Sequence, residues 1–262
     1  MSILLAWRQT GEPGVIFSLR HQGTLVLERG SAWSLAVRRG IRPPCWTGSE
    51  TPFPPFMKTV LLLAATFLLP VLVHAAPPER LFDGKTFAGW EGDTAKTWRI
   101  VDGALVGGSL IEKVAHNEFL ATTKSYGNFE LRLKFRLVGK EGFINAGVQF
   151  RSRRIPGHYE MIGYQADLGE GYYGSLYDES RRNKVLVAAD KAKLAPVLKL
   201  GEWNDYRIRC EGPRVQLWIN GVQTVDYTET DDTVDRIGKI ALQIHGDGMA
   251  EASYKDIVVE AL

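Results

Sequence analysis

Two short segments alternate strictly between apolar and polar positions. In residues 145–151 the apolar positions are Ala146, Val148 and Phe150, and the others are Asn145, Gly147, Gln149 and Arg151. In residues 239–245 the apolar positions are Ile240, Leu242 and Ile244, whereas Gln243 and His245 are polar. Successive side chains of a β-strand point to opposite faces, so each segment predicts a strand with one face on a core and one polar face. We expect Gly147 to leave room for a ligand on a polar face suited to an uncharged, hydrogen-bonding molecule such as a sugar.

Similar alternation recurs through residues 79–262, and helical periodicity is nearly absent. The predicted strands are 97–101, 104–106, 129–137, 144–151, 161–166, 205–210, 214–219, 223–227, 239–245 and 252–260. Asn220-Gly221 between two of them predicts a two-residue type I′ hairpin. Many strands with no interleaved helices indicate an all-β fold of two packed sheets.

The strongest predicted strand, 129–137, places five apolar residues inward. It turns Glu130, Arg132, Lys134 and Arg136 outward. These charges suit either a solvated outer surface or a binding face. Trp203 and Trp218 could likewise stack on sugars or take part in ordinary packing.

The first 76 residues differ from the rest of the chain. Residues 57–75 have a short basic start, an apolar stretch of about 15 residues and a small-residue cleavage site, which together predict a signal peptide. The alternative is an uncleaved anchor. Residues 1–56 are rich in Arg, Gly and Pro, and we interpret them either as an unstructured extension or as residues upstream of a true start at Met57. The predicted location is therefore secreted or periplasmic, without membrane association after cleavage.

Charge and cysteine content exclude several functions. Residues 1–76 contain seven of the 32 basic and three of the 30 acidic residues, which leaves 25 and 27 in the predicted mature chain, a net charge of −2. Nucleic-acid binding needs a basic surface, so no nucleic-acid partner is expected. Cys210 shares a strand face with Tyr206 and Ile208 and is predicted to be a buried, inert thiol.

Nine segments, spread in order over nearly all of 79–262, resemble the 3-keto-disaccharide hydrolase domain family. They are residues 81–90 (LFDGKTFAGW), 128–131, 145–151, 163–167, 174–177, 201–204, 220–221, 238–245 and 254–257. The resemblance implies a concanavalin-A-like jelly-roll sandwich of two antiparallel sheets. It also implies cleavage of glycosides whose sugar is oxidised at C3. The chain departs from the family pattern at Ala146 and at Ile244, and the second change removes an acidic neighbour of His245.

A C3 ketone makes the C2 proton acidic and places the C1 leaving group β to the carbonyl. Elimination followed by hydration would then cleave the bond without the oxocarbenium ion of ordinary glycosidases. This route needs a base for the C2 proton, a positive or hydrogen-bonding group for the enolate, and an acid at the leaving oxygen. A non-catalytic, lectin-like glycan-binding module of the same fold is the alternative function.

Four residues are candidates for the catalytic roles. His245 is the candidate base or metal ligand, because it extends a polar strand face and can titrate near neutrality. Arg151 could polarise the ketone, or it could pair with a neighbouring strand. Asp167 could be an acid, a base or a ligand, or it could cap a turn. Glu160 has the opposite strand parity unless a bulge re-aims it.

The candidate substrate-binding residues are Asn145, Gln149, Gln165, Tyr177 and Gln243. Glu179, Arg181 and Arg182 are expected to form a solvated charge run. The acidic residues Asp231, Asp232 and Asp235 lack the spacing of a calcium loop, so no metal site is assigned. No cofactor is predicted, although a divalent cation stays open as an alternative.

Overall fold

The computed structural model of the protein describes residues 77–262, so the predictions for residues 1–56 and 57–75 lie outside the described part. In chain order the strands are β1 (Glu79–Arg80), β2 (Trp90–Glu91), β3 (Trp98–Val101), β4 (Ala104–Gly108), β5 (Glu118–Thr122), β6 (Phe129–Gly142), β7 (Asn145–Arg154), β8 (Met161–Gly169), β9 (Leu176–Glu179), β10 (Lys184–Val187), β11 (Asn204–Glu211), β12 (Arg214–Ile219), β13 (Val222–Thr228), β14 (Lys239–Ile244) and β15 (Gly248–Ala261). A four-residue helix, α1 (Lys191–Leu194), follows β10 and is capped by the Asp190 carboxylate. No helix within 77–262 has the length and hydropathy of a membrane span.

The strands form two antiparallel sheets. Sheet A has the order β13-β12-β11-β6-β15-β4-β3, with β1 beside β15, and sheet B has the order β10-β9-β8-β7-β14-β5-β2. The predicted all-β, jelly-roll sandwich is therefore confirmed. The hairpin prediction is confirmed as well, since Asn220 and Gly221 join β12 to β13 with φ values of 48° and 83°.

The core lies between the sheets and follows the alternation seen in the sequence. The inward residues of β6 (Phe129, Leu131, Leu133, Phe135 and Leu137) are buried, as are Ala146, Val148 and Phe150 of β7. Cys210 is buried among them, and burial raises the pKa of its thiol to about 12, as expected of an inert cysteine. The Tyr254 hydroxyl crosses from sheet A to lie 3.0 Å from the Gly147 carbonyl oxygen and 2.8 Å from that of Gln243. This contact ties the backbones of β7 and β14 to the core directly behind their polar faces.

The outward-facing charged side chains of sheet A form ion pairs with one another. Lys134 lies 2.5 Å from Asp205, and Arg214 lies 2.6 Å from Asp226. The guanidinium of Arg207 lies 3.7 Å from the Trp218 ring centroid. These contacts account for the outer face of the sheet as a solvated, ion-paired surface.

β7 bends sharply at Arg151 and Ser152, and this bend shapes the site. Arg151 has a φ of 49°, and the pairing of β7 with β8 shifts register between Phe150 and Arg153. On the partner strand a Cβ at Gly163 would lie 2.7 Å from the Ser152 Cα, so only glycine fits there. The bend folds the end of the β7–β8 hairpin back over the outer face of sheet B. There Met161 packs with Phe119, Ala121 and Ala241.

The prediction that Arg151 shares the polar face of β7 is wrong, because the bend turns its side chain away. Its guanidinium donates to the carbonyl oxygens of Gly127 (3.1 and 3.2 Å) and Gly212 (2.8 Å). Arg151 is buried and joins two loops, the one before β6 and the one between β11 and β12.

We expect Arg151→Met to lower the free energy of unfolding by about 2–4 kcal/mol, because the carbonyl oxygens of Gly127 and Gly212 lose a charged donor. Urea denaturation followed by fluorescence would measure the change. The matched control is Arg153→Met, since Arg153 is exposed on the same strand and should change stability by less than about 0.5 kcal/mol. Equal stability of both variants would contradict a structural role for Arg151.

Candidate functional site

The polar side chains of four neighbouring strands meet on the outer face of sheet B. Gln149 is paired with Gln165, and Gln165 is paired with Tyr177 of the next strand. Two residues before Gln149 on β7, Gly147 is paired with Asp167 of β8 on one side and with Gln243 of β14 on the other. The resulting surface, called the polar patch below, consists of Asn145, Gln149, Gln165, Asp167, Tyr177 and Gln243. The structure thus brings together all five predicted substrate-binding residues and Asp167.

The space above Gly147 is filled by protein. A Cβ on Gly147 would lie 2.6 Å from the Gln165 side chain, which covers the glycine. Gln149 Nε2 is 3.4 Å from Gln165 Oε1, and Gln165 Nε2 donates to Asp167 Oδ1 at 2.8 Å. The glycine therefore admits Gln165 rather than a ligand, and it orders a chain of amides that ends on Asp167.

Several buried polar atoms of this face have no hydrogen-bond partner within residues 77–262. They include both side-chain polar atoms of Gln243, Oε1 of Gln149 and Oε2 of Glu160. Gln243 and Gln149 are each 0% exposed. An unsatisfied buried polar atom costs about 1–3 kcal/mol, so these atoms would gain from a polar partner, either ordered water or a bound ligand.

Replacing Gln243 with methionine should remove that cost while keeping the side-chain shape. We expect Gln243→Met to raise the free energy of unfolding by about 1 kcal/mol and to weaken binding of a polar ligand. Thermal and urea denaturation would measure the first effect, with the exposed Gln223→Met as the control. A clear loss of stability would instead mean that ordered water satisfies this amide in the folded protein.

His245 stands at the edge of the polar patch, immediately after β14. Its Nδ1 lies 2.8 Å from the carbonyl oxygen of Gly246. A carbonyl only accepts, so Nδ1 carries the hydrogen in this contact and Nε2 of the neutral ring keeps a free lone pair. The Phe143 ring meets the imidazole edge to face, at 4.6 Å between centroids. The geometry therefore suits His245 to act as a base through Nε2.

Asn117 links His245 to the folded-back hairpin. Its Oδ1 accepts from the Gly246 backbone N–H at 3.1 Å, and its Nδ2 donates to Glu160 Oε1 at 2.8 Å. Beside it, His116 stacks on Tyr159 at 4.1 Å. Sequence analysis missed Asn117 and His116, because they lie in a connection before the short β5 and carry no strand pattern. Strand parity alone would place Glu160 on the opposite face, but the bend in β7 and β8 turns its carboxyl toward the site.

Three acidic groups near the polar patch are biased toward the protonated state. Burial raises the pKa of Asp167 to about 8, with a further rise from the nearby Glu179 carboxylate and an opposing hydrogen bond from Gln165. Burial likewise raises the pKa of Glu179 to about 7, and the charges of Glu160 and Asp178 add to the effect. The pKa of Glu160 is also raised by burial, against the hydrogen bond from Asn117 and the nearby His158 and His245. The site can therefore offer protons near neutral pH.

The expectation of a solvated charge run at 179–182 is wrong. Glu179 is paired with Gly163 on the patch side of β9 and is partly buried. Arg181 and Arg182 bind the fully buried Asp178, and Arg182 Nη2 is 2.5 Å from Glu229 Oε2. These two arginines anchor β9 through the Asp178 carboxylate. Glu179, on the same strand, lies on the polar-patch side and is part of the site.

No three His, Cys, Asp or Glu side chains within 77–262 are grouped so as to hold a metal ion. In the acidic turn, Asp231 accepts from Thr233 and Asp232 pairs with Arg236 at 2.7 Å.

Known structures show where this fold occurs. A candidate glycosyl hydrolase from Parabacteroides distasonis is 20% identical, with a TM-score of 0.54 over 71% of this chain and 94% of that chain. The carbohydrate-binding module CBM66 from Bacillus subtilis is 16% identical, with a TM-score of 0.52 over 66% and 96%. A galectin-like protein of unknown function from Bacillus subtilis is 13% identical, with a TM-score of 0.55 over 71% and 95%. At these identities the likeness establishes the fold alone.

No curated protein matches the chain. The sequence model of one family, described as the 3-keto-alpha-glucoside-1,2-lyase-like domain, matches residues 77–260, which is nearly the whole described part. This match supports a carbohydrate-related function for the domain. The chain belongs to the 3-keto-alpha-glucoside-1,2-lyase-like domain family.

Proposed function

We propose that the protein is a secreted or periplasmic enzyme that cleaves 3-keto-glycosides by elimination across C1 and C2, followed by hydration. The observation that carries the proposal is the orientation of His245, whose Nδ1 contacts the Gly246 carbonyl and leaves Nε2 for a substrate, together with the nearby Glu160 carboxyl, whose pKa is raised by burial. Support for the substrate comes from the family, whose description names a 3-keto-glucoside and a 1,2-lyase reaction. Support for export comes from the signal-like sequence of residues 57–75.

In the first step His245 Nε2 takes the C2 proton, and the electrons of the C2–H bond move into an enolate on the C3 oxygen. Protonated Asp167 can donate a hydrogen bond to that oxygen, a role that Arg151 cannot take from its position among the loops. The role needs a neutral carboxyl, which is the form that burial favours.

In the second step the enolate collapses to a C1–C2 double bond and the C1–O bond breaks. The leaving oxygen takes a proton from Glu160 or Glu179, both of which have raised pKa values. Water then adds its oxygen to C1 and gives one proton to the carboxylate that had protonated the leaving oxygen, while His245 returns the proton to C2, so the net reaction is hydrolysis. Tyr177, which is half-buried, would hold a sugar hydroxyl directly, and the buried amides of Asn145, Gln149 and Gln243 would reach the sugar after a small shift of the side chains that cover them.

The test is release of 4-nitrophenol from 4-nitrophenyl 3-keto-α-glucoside by the intact protein, followed by absorbance. The matched control substrate is the same glucoside without the ketone, which should be inert because its C2 proton is not acidic. Replacing the C2 hydrogen with deuterium should lower the rate of cleavage of the 3-keto substrate if proton removal limits that rate. Equal cleavage of both substrates would contradict the elimination route.

The second candidate function is glycan binding without catalysis. It is favoured by the buried side-chain atoms that lack a hydrogen-bond partner within residues 77–262, Oε1 of Gln149 and both polar atoms of Gln243, which would serve recognition equally well. Calorimetric titration with a 3-keto-glucoside that is bound without turnover would support this alternative.

A further inference from the structure

A cleft of about 470 Å³ lies at the end of the sandwich where β7 begins and β8 ends. Its lining is mostly aliphatic and aromatic, and it includes Ile144, Tyr173, Leu194, Leu198 and Leu200. Leu200, which is 71% exposed, adds apolar surface to the cleft. The volume is within the range of small-molecule sites.

Consecutive residues connect this cleft with His245 at the edge of the polar patch. Ile144 lines the cleft, and the preceding residue, Phe143, contacts the His245 ring on the other side. Phe143 also meets Tyr172 edge to face at 6.1 Å, and the next residue, Tyr173, lines the cleft. Phe143 and Tyr172 are 41% and 36% exposed, so an aromatic ridge runs from His245 to the mouth of the cleft.

We infer that this cleft binds the aglycone of the substrate, and that the aglycone is an apolar or aromatic group. The inference rests on the proposed function, since the leaving group departs from C1 of a sugar held beside His245. A second sugar ring would need convergent hydrogen-bonding groups, whereas the charged groups in the lining are Glu170 and Lys191. Those two suit a phenolic hydroxyl on a ring that is otherwise buried in aliphatic contacts.

Two substrates and two cleft variants test the inference. We expect 4-nitrophenyl 3-keto-α-glucoside to have a KM at least about tenfold below that of methyl 3-keto-α-glucoside, because only the first fills the cleft. Leu200→Glu places a charge in the cleft, and Ala195→Trp fills it; both positions are exposed, so folding should be preserved. Each variant should raise the KM of the aryl substrate about tenfold and leave kcat/KM of the methyl substrate within about twofold.

Ile237→Glu is the matched control, because Ile237 is 67% exposed but lies beyond the other end of β14. This variant should leave the KM and kcat/KM of both substrates unchanged. Turnover of the methyl substrate, with an aryl KM that is the same in the intact protein and both variants, would overturn the aglycone assignment alone. Cleavage of neither substrate would overturn the proposed function and the assignment together.

Discussion

His245→Ala is expected to lower kcat/KM for a 3-keto-glucoside by about 10³-fold, because general base catalysis by a positioned side chain contributes about 10²–10⁴-fold. The free Nε2 is held in place by the Nδ1 contact with the Gly246 carbonyl and by the Phe143 ring. Both contacts are local, so the variant should fold. Initial rates with the chromogenic substrate, alongside a denaturation curve, would measure the two effects separately.

Added imidazole should restore part of the activity of His245→Ala, since a small base can occupy the space that the side chain vacates. The control is His158→Ala, because His158 is an exposed residue of the hairpin end and accepts only from the Glu160 backbone N–H. The kcat/KM of that variant should stay within about tenfold of the value for the intact protein. Equal losses in both variants, without rescue, would remove His245 from the base role.

Asp167→Asn is expected to stabilise the protein at alkaline pH by about 2–4 kcal/mol. The folded-state pKa of Asp167 is raised to about 8, mainly by burial, from an ordinary value of 3.8. Between these values the folded protein binds a proton that the unfolded chain does not, so this carboxyl lowers stability as pH rises from about 4 to 8. Asparagine has no proton to lose, so the stability gap between variant and parent should widen over that window.

Urea denaturation at pH 5, 7 and 9 would measure this dependence. The matched control is Asp205→Asn, because Asp205 is an exposed strand residue on sheet A. Its stability difference from the parent should stay within about 1 kcal/mol across the series. A constant difference for Asp167→Asn would show that Asp167 is ionised throughout. The proposed hydrogen bond to the enolate oxygen would then be lost as well.

Much of the scaffold could be predicted from local pattern. Period-two alternation located ten of the strands, and Asn220-Gly221 located a hairpin, because side-chain direction and turn geometry depend on neighbouring residues. The elements that escaped prediction are β1, β2, β5, β9, β10 and α1, each of two to five residues, which is too short for periodicity to be a dependable signal. The shared face of Gln149, Gln165 and Tyr177 followed from parity once the register was known.

The site itself was decided by tertiary structure. Strand parity predicted that Arg151 lies on the polar face with Gln149 and that Glu160 lies on the opposite face. One bend at Arg151 and Ser152 reversed both assignments. Strand parity also gave no reason to put Asn117 next to Glu160, since 43 residues separate them. The sequence by itself determined which strands carry hydrophilic faces, because alternation is a property of consecutive residues. Only the folded chain decided which carboxyls are buried and therefore have raised pKa values, because burial and charge proximity depend on groups far apart in sequence.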